Sequence, residues 1–190
     1  MRKDRRIKLA KLAHLLLFKR HRYPGVKEWE LEKYLGRDYE SVINDFNEYL
    51  EPLGLYVRRV EIEEDSNKSI YYVVQPKYPL AFTEVKTFGW RVDEMAVLTV
   101  ALAHILAGDG KASRKEVEET LKEKIPEWRV IRLIDRFIKM KYLEEDGEYL
   151  KIGLRTYLEL DLKTLTSVLI GRAMSQEAET SVKDSSSQHQ

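Results

Sequence analysis

Arg129, Arg132, Arg136 and Lys139 recur at spacings of three, four and three. In a helix, such spacing lines cations along one face. A line of guanidinium and ammonium groups can hold the phosphates of a nucleic-acid backbone. Val130, Leu133, Ile134 and Phe137 fall on roughly the opposite face and can pack inward. The same stripe could equally be a solvated face whose cations pair with nearby acids such as Asp135. The four residues form the candidate DNA-binding set.

Catalytic chemistry has no comparable pattern. The four histidines, His14, His21, His104 and His189, show no ligand spacing of the His-Glu-x-x-His kind. With no cysteine, thiolate nucleophiles, zinc fingers and iron–sulfur clusters are excluded. Gly108-Asp109-Gly110-Lys111 follows a helical stretch rather than a strand and lacks the phosphate-loop spacing. Glu144, Glu145, Asp146 and Glu148 could attract a cation, but they read as a solvated hairpin tip. No catalytic residue, metal ligand or cofactor is therefore assigned, and the chain reads as a non-enzyme.

The elements that position the stripe are legible from periodicity. Helices are expected over 5–20, about 26–35, and from an Asp38 cap to about Leu53, where Pro52 and Gly54 end the apolar spacing of Tyr39, Val42, Ile43, Phe46 and Leu50. Leu55 to Val60 and Ser69 to Gln75 read as strands, with Glu61 to Lys68 as a hairpin tip. After a Pro-rich connector, Asp93 is expected to cap a helix to Ala107. Ser113 and Glu116 form a capping-box pattern for the next helix. Pro126 starts the striped helix, which should run to Lys141. Tyr142-Leu143 and Tyr149 to Ile152 flank an Asp-Gly turn, and a last helix is expected over Arg155 to Arg172. Phe82, Phe88 and Trp90 are the expected anchors of the connector.

Three helices followed by a hairpin is the winged-helix plan, and here it occurs twice. The expected fold is mainly α with small β-hairpins (α+β): two winged-helix domains in tandem. The first covers 1–78, a connector covers 79–91, the second with a C-terminal helix covers 92–174, and 175–190 reads as a disordered Ser- and Gln-rich tail.

The 190 residues carry 33 basic and 32 acidic side chains, but the charge is not evenly spread. Residues 1–22 carry a net +8 and residues 23–65 a net −7. Such asymmetry suits a basic arm that meets an acidic partner, or a basic helix end beside a solvated acidic face. In the first half, the helix before the wing exposes Glu40, Asn44, Glu48 and Glu51, with Asp45 nearby; phosphates repel it, so it is expected to meet a protein. The first helix is apolar nearly all round. Its Ile7, Leu12, Leu15, Leu16 and Phe18 are the candidate partner interface, in a subunit contact, a homodimer or inter-domain packing. The longest apolar run, Ile70 to Val74, is far too short to span a bilayer, and no signal-peptide pattern is present. A cytoplasmic protein is expected.

The run Phe137-Ile138-Lys139-Met140-Lys141-Tyr142-Leu143, then a short wing, then Gly153-Leu154-Arg155-Thr156-Tyr157-Leu158-Glu159, resembles the end of the MAGE homology domain. Tyr142, Leu143, Gly153, Arg155 and Glu159 match its Tyr-Leu pair and its Gly-x-Arg-x-x-x-Glu run. Ile152 and Leu154 stand where that family usually has Trp and Pro. Leu53-Gly54-Leu55 and Tyr71-Tyr72-Val73-Val74 are similar to its first winged helix. The resemblance covers about residues 38–170 and extends to the kleisin-interacting tandem winged-helix (KITE) proteins; the compact length suits a prokaryotic or archaeal member. It implies a non-catalytic subunit of an SMC-type chromosome maintenance or repair complex. The implied partners are a kleisin or related subunit, a second winged-helix or RING subunit, and non-specific DNA. The alternative reading is a free-standing dimeric winged-helix transcription regulator.

Overall fold

Tyr39, Val42, Ile43, Phe46 and Leu50 are all buried along one side of a helix, α3 (Tyr39–Leu50), as their spacing requires. They pack against helices α1 (Arg2–Leu17) and α2 (Glu28–Leu35), which contribute Leu12, Leu31 and Leu35 to the same core. The structure, a computed structural model, describes residues 2–18, 24–64, 67–78, 89–162 and 165–167. A short turn of 3-10 helix over Glu51–Leu53 leads into β2 (Leu55–Glu64), which pairs antiparallel with β3 (Asn67–Pro76). A two-residue strand, β1 (Val26–Lys27), adds to the far side of β3, with Val26 opposite Tyr72, so the sheet order is β1-β3-β2.

The second half repeats this plan. Helix α4 (Val92–Ala107) is followed by β4 (Lys111–Ser113), α5 (Arg114–Lys122), α6 (Glu127–Lys139), β5 (Leu143–Asp146) and β6 (Tyr149–Ile152). The sheet order, β4-β6-β5, matches that of the first half position for position. Its core joins Val97, Ala101, Leu102 and Ile105 of α4 to Val130, Leu133, Ile134 and Phe137 of α6. The α+β class and the two helix-hairpin units agree with the sequence reading.

Packing on the outer face of the first sheet joins the halves. Along β2 and β3, alternate residues face opposite sides. Val57, Tyr72 and Val74 face the first core, whereas Val60, Ile62, Tyr71 and Val73 face away from it. A short helix, α7 (Leu154–Glu159), covers that second face with Leu154 and the fully buried Leu158. Gln75 Nε2 donates to the Leu158 carbonyl at 2.6 Å. The run Ile70–Val74 is continuously apolar because both faces of its strand are covered, each by a different half of the chain.

Several expectations need correction. β1 and β4 were not foreseen; β1 displaces the start of α2 from 26 to 28. The charged Glu61–Lys68 segment is strand up to Glu64 and again from Asn67, in register to Glu64↔Asn67, because Glu61 and Glu63 lie on exposed positions that alternate with buried Ile62. α1 starts at Arg2, and its expected extension to Arg20 runs past Phe18 to residues outside those described. Asp38 and Ser113 sit at helix N-caps, yet neither side chain bonds the helix backbone. Arg91, not Asp93, occupies the α4 N-cap, and Glu94 accepts its backbone N–H at 3.3 Å. In the second hairpin the turn residues are Gly147 and Glu148, with Asp146 still in β5; Gly147 has φ +60, which its missing Cβ permits. α6 ends at Lys139 and α7 at Glu159, where Leu160 turns extended; residues 162 and 165–167 are helical again. Trp90 packs on the second core as expected. Phe82, Phe88 and the tail 175–190 lie outside the described residues.

Candidate nucleic-acid interface and partner surfaces

Helix α6 buries Val130, Leu133, Ile134 and Phe137 and turns its opposite side outward. The basic stripe lies on that side, but its four members are not equivalent. Arg129 forms an ion pair with Asp93, and Arg136 Nη1 lies 2.5 Å from Glu94 Oε1, both acids coming from the first turn of α4. Arg136 also sits over the Trp90 ring at 6.0 Å from its centroid. Arg132 and Lys139 are exposed and have no ion pair among the described residues. Asp135, the acid that could have neutralised the stripe, turns to Arg114 at 2.8 Å. Arg114 also meets Glu118 at 2.8 Å and Glu145 at 2.6 Å. Burial lowers the Arg114 pKa, but the three carboxylates more than offset this and hold the guanidinium above its ordinary value.

The first half shows the opposite polarity. Glu40, Asn44 and Glu48 are exposed on α3. Glu51 pairs with Lys77 at 2.8 Å, which lowers the carboxyl pKa. A cleft of about 450 Å³ lies beside them, lined by Asn44, Asn47, Glu48, Glu51, Tyr56 and Lys77. The other acids of α3 meet the chain's own basic arm. Arg5 Nε lies 2.5 Å from Asp45, and Lys8 Nζ lies 2.8 Å from Asp38. The hydrogen bonds from Arg5 and Lys8 depress the pKa values of Asp45 and Asp38 respectively. Part of the charge asymmetry is thus settled within the first winged helix, between α1 and α3.

The five candidate interface residues of α1 divide. Leu12 is fully buried in the first core and is not available to a partner, because α2 and α3 close over it. Leu15 and Leu16 are half-buried against the same core. Ile7 at 47% and Phe18 at 68% are exposed, and Leu17 joins them at 47%.

The five motif residues converge at the junction of α6, β6 and α7. Tyr142 Oη donates to Glu159, whose other oxygen accepts from Arg155 Nε at 2.8 Å. The Arg155 guanidinium lies over the Tyr142 ring, 4.8 Å from its centroid. Burial and then the Glu159 hydrogen bond push the Tyr142 hydroxyl pKa well above its ordinary value. Gly153 passes so close to Lys141 that a Cβ there would lie 2.3 Å from the Lys141 carbonyl oxygen. Lys141 itself is held at φ +66, and its carbonyl accepts from Arg155 N at 2.9 Å. Leu143 is fully buried. The five residues thus meet in one joint between α6, the second hairpin and α7.

The fold has a solved counterpart. This chain is similar in structure to a chain of the Nse1-Nse3-Nse4 complex. The TM-score is 0.57 at 17% identity, over 84% of this chain and 72% of that one. At this identity the likeness is one of fold. No family model and no curated protein matches the sequence. Among the described residues no helix is long and apolar enough to cross a membrane, and no cluster of His, Asp and Glu could hold a metal ion.

The sequence reading took Asp93 as a helix cap and did not foresee that Asp93 and Glu94 engage half of the stripe. It also passed over Trp128, which is 65% exposed on the outward side of α6. The signal was present: Trp128 stands four residues before Arg132.

Proposed function

We propose that the protein is a non-catalytic scaffold subunit of an SMC-type chromosome maintenance or repair complex, cytoplasmic and associated with the nucleoid. The two winged helices, residues 1–78 and 92–174, divide the work. The acidic α3 face and the exposed Ile7 and Phe18 of α1 receive protein partners, among them a kleisin-type subunit. The α6 face contacts DNA without strong sequence preference. The observation that carries this reading is the likeness in fold to a chain of the Nse1-Nse3-Nse4 complex; the two helix-hairpin units joined through α7 support it.

Two experiments test it. Tagged protein should retain an SMC-type ATPase and its kleisin from its own cell extract; retention of neither counts against the scaffold role. Anisotropy with a random-sequence duplex across a salt series tests the DNA contact. Two phosphate contacts, from Arg132 and Lys139, give a log–log slope of about −1.8, and four give about −3.6. Changing all four stripe residues to Glu should abolish binding. A preference above roughly 10³ for one selected duplex would favour the free-standing regulator instead.

A further inference from the structure

We infer that α6 binds single-stranded DNA, with Trp128 as a base-stacking platform and Arg132 and Lys139 as its phosphate contacts. The inference rests on the proposed DNA contact of α6 and specifies which form of DNA it takes.

Geometry is the first argument. At 3.6 residues per turn, Trp128, Arg132 and Lys139 fall within about 40° of one another around the helix axis. They rise along it by about 6 Å and then about 10.5 Å. Arg129 and Arg136 are rotated toward α4, where Asp93 and Glu94 engage them. The outward line of the helix is thus an indole followed by two cations without ion pairs among the described residues. The acids beside that line are already occupied. Asp135 is held by Arg114, and Glu127 lies 2.7 Å from Lys122.

Chemistry is the second argument. An indole that is 65% exposed at the start of α6 offers a flat π-face. In a duplex the bases are stacked on each other and present only their edges to a helix in the groove. A π-face is useful where bases are unpaired, and aromatic platforms flanked by cations are how proteins hold single strands without reading sequence.

The test uses the full chain with two labelled probes, a 15-nucleotide oligo-dT and a 15-base-pair random duplex. Trp128→Ala should weaken oligo-dT binding by about fivefold or more, the loss expected when one stacked base is given up. It should change duplex binding by less than about twofold. Trp128→Phe, which keeps a π-face, should retain most of the affinity yet lose the fluorescence quenching that oligo-dT produces in the wild type. Arg132→Glu with Lys139→Glu should weaken both probes. Trp29→Ala removes another exposed indole, on α2, and should change neither. Duplex binding with oligo-dT binding indifferent to Trp128→Ala overturns this inference and leaves the DNA contact standing. Failure of the wild type to bind either probe overturns both.

Discussion

Arg136 Nη1 lies 2.5 Å from Glu94 Oε1, and Glu94 is 6% exposed. The same carboxylate accepts the Arg91 backbone N–H, so one buried acid both caps α4 and tethers the striped helix. With Arg129 on Asp93, the start of α4 acts as a built-in counterion for α6. Changing Asp93→Asn with Glu94→Gln should release two cations. The duplex salt slope should then steepen by up to about 1.8, and folding stability should fall by about 1–2 kcal/mol as charged hydrogen bonds become neutral ones. A salt series and urea unfolding on the same protein check both.

Gly153→Ala should be among the most damaging single-methyl additions in this chain. The new Cβ would meet the Lys141 carbonyl oxygen at 2.3 Å, and that backbone is fixed by Arg155 N and by the left-handed Lys141. A loss of about 2–4 kcal/mol is expected, at or beyond the upper range for overpacked sites. Gly147→Ala meets no atom within 4 Å and pays only for its positive φ, about 1 kcal/mol. Chemical denaturation of the two variants should reproduce the order.

Leu158→Ala removes a fully buried side chain from the contact that joins the halves. A loss of about 2–4 kcal/mol is expected. Its more telling effect is local. Amide protection should drop along β2 and β3 at the outward-facing Val60, Ile62, Tyr71 and Val73, while the α4–α6 core keeps its protection. Hydrogen exchange read residue by residue would show this; a uniform loss would mean that the two halves unfold as one cooperative unit.

The α1–α3 pairs give a pH dependence with a defined sign. Arg5 holds the Asp45 pKa, and Lys8 the Asp38 pKa, below the ordinary aspartate value of 3.8. A carboxylate with a depressed folded-state pKa contributes fully above the unfolded value and loses that contribution as the pH falls through the folded one. Asp45→Asn should therefore lower the melting temperature at pH 7, and the gap to the wild type should close as the pH falls below the ordinary aspartate value of 3.8. A gap that does not narrow as the pH falls would assign the effect to packing instead of charge.

Reading ahead from sequence worked where burial is one-sided. In α3 and α6 the apolar residues repeat at helical spacing because each helix has one core to face. It failed where a residue answers to a distant partner. Asp38, Asp93 and Ser113 all have cap chemistry, but Asp38 turns to Lys8, Asp93 turns to Arg129, and Arg91 takes the α4 cap position. Those pairings are set by tertiary packing and leave no trace in local spacing. β1 and β4, at two and three residues, are too short to show an alternation. The strand character of Glu61–Glu64 was hidden by its charge, although Ile62 between Glu61 and Glu63 carries the period-two signature. The joint of Tyr142, Gly153, Arg155 and Glu159 was visible as a structural motif, but the close passage of Gly153 against Lys141 leaves no trace in the spacing.

The cover that α7 places on the first wing also sets an order of events during synthesis. Gln75 and the Leu158 carbonyl that it binds are 83 residues apart. At about 5–20 residues per second, the ribosome needs roughly 4–17 s to travel between them. Hairpins close in microseconds, so the first wing can be paired and bare for nearly all of that interval. Val60, Ile62, Tyr71 and Val73 then present an uncovered apolar sheet face to every neighbouring nascent chain. A product truncated shortly before Leu154 would keep that face permanently, and self-association would be its characteristic fate.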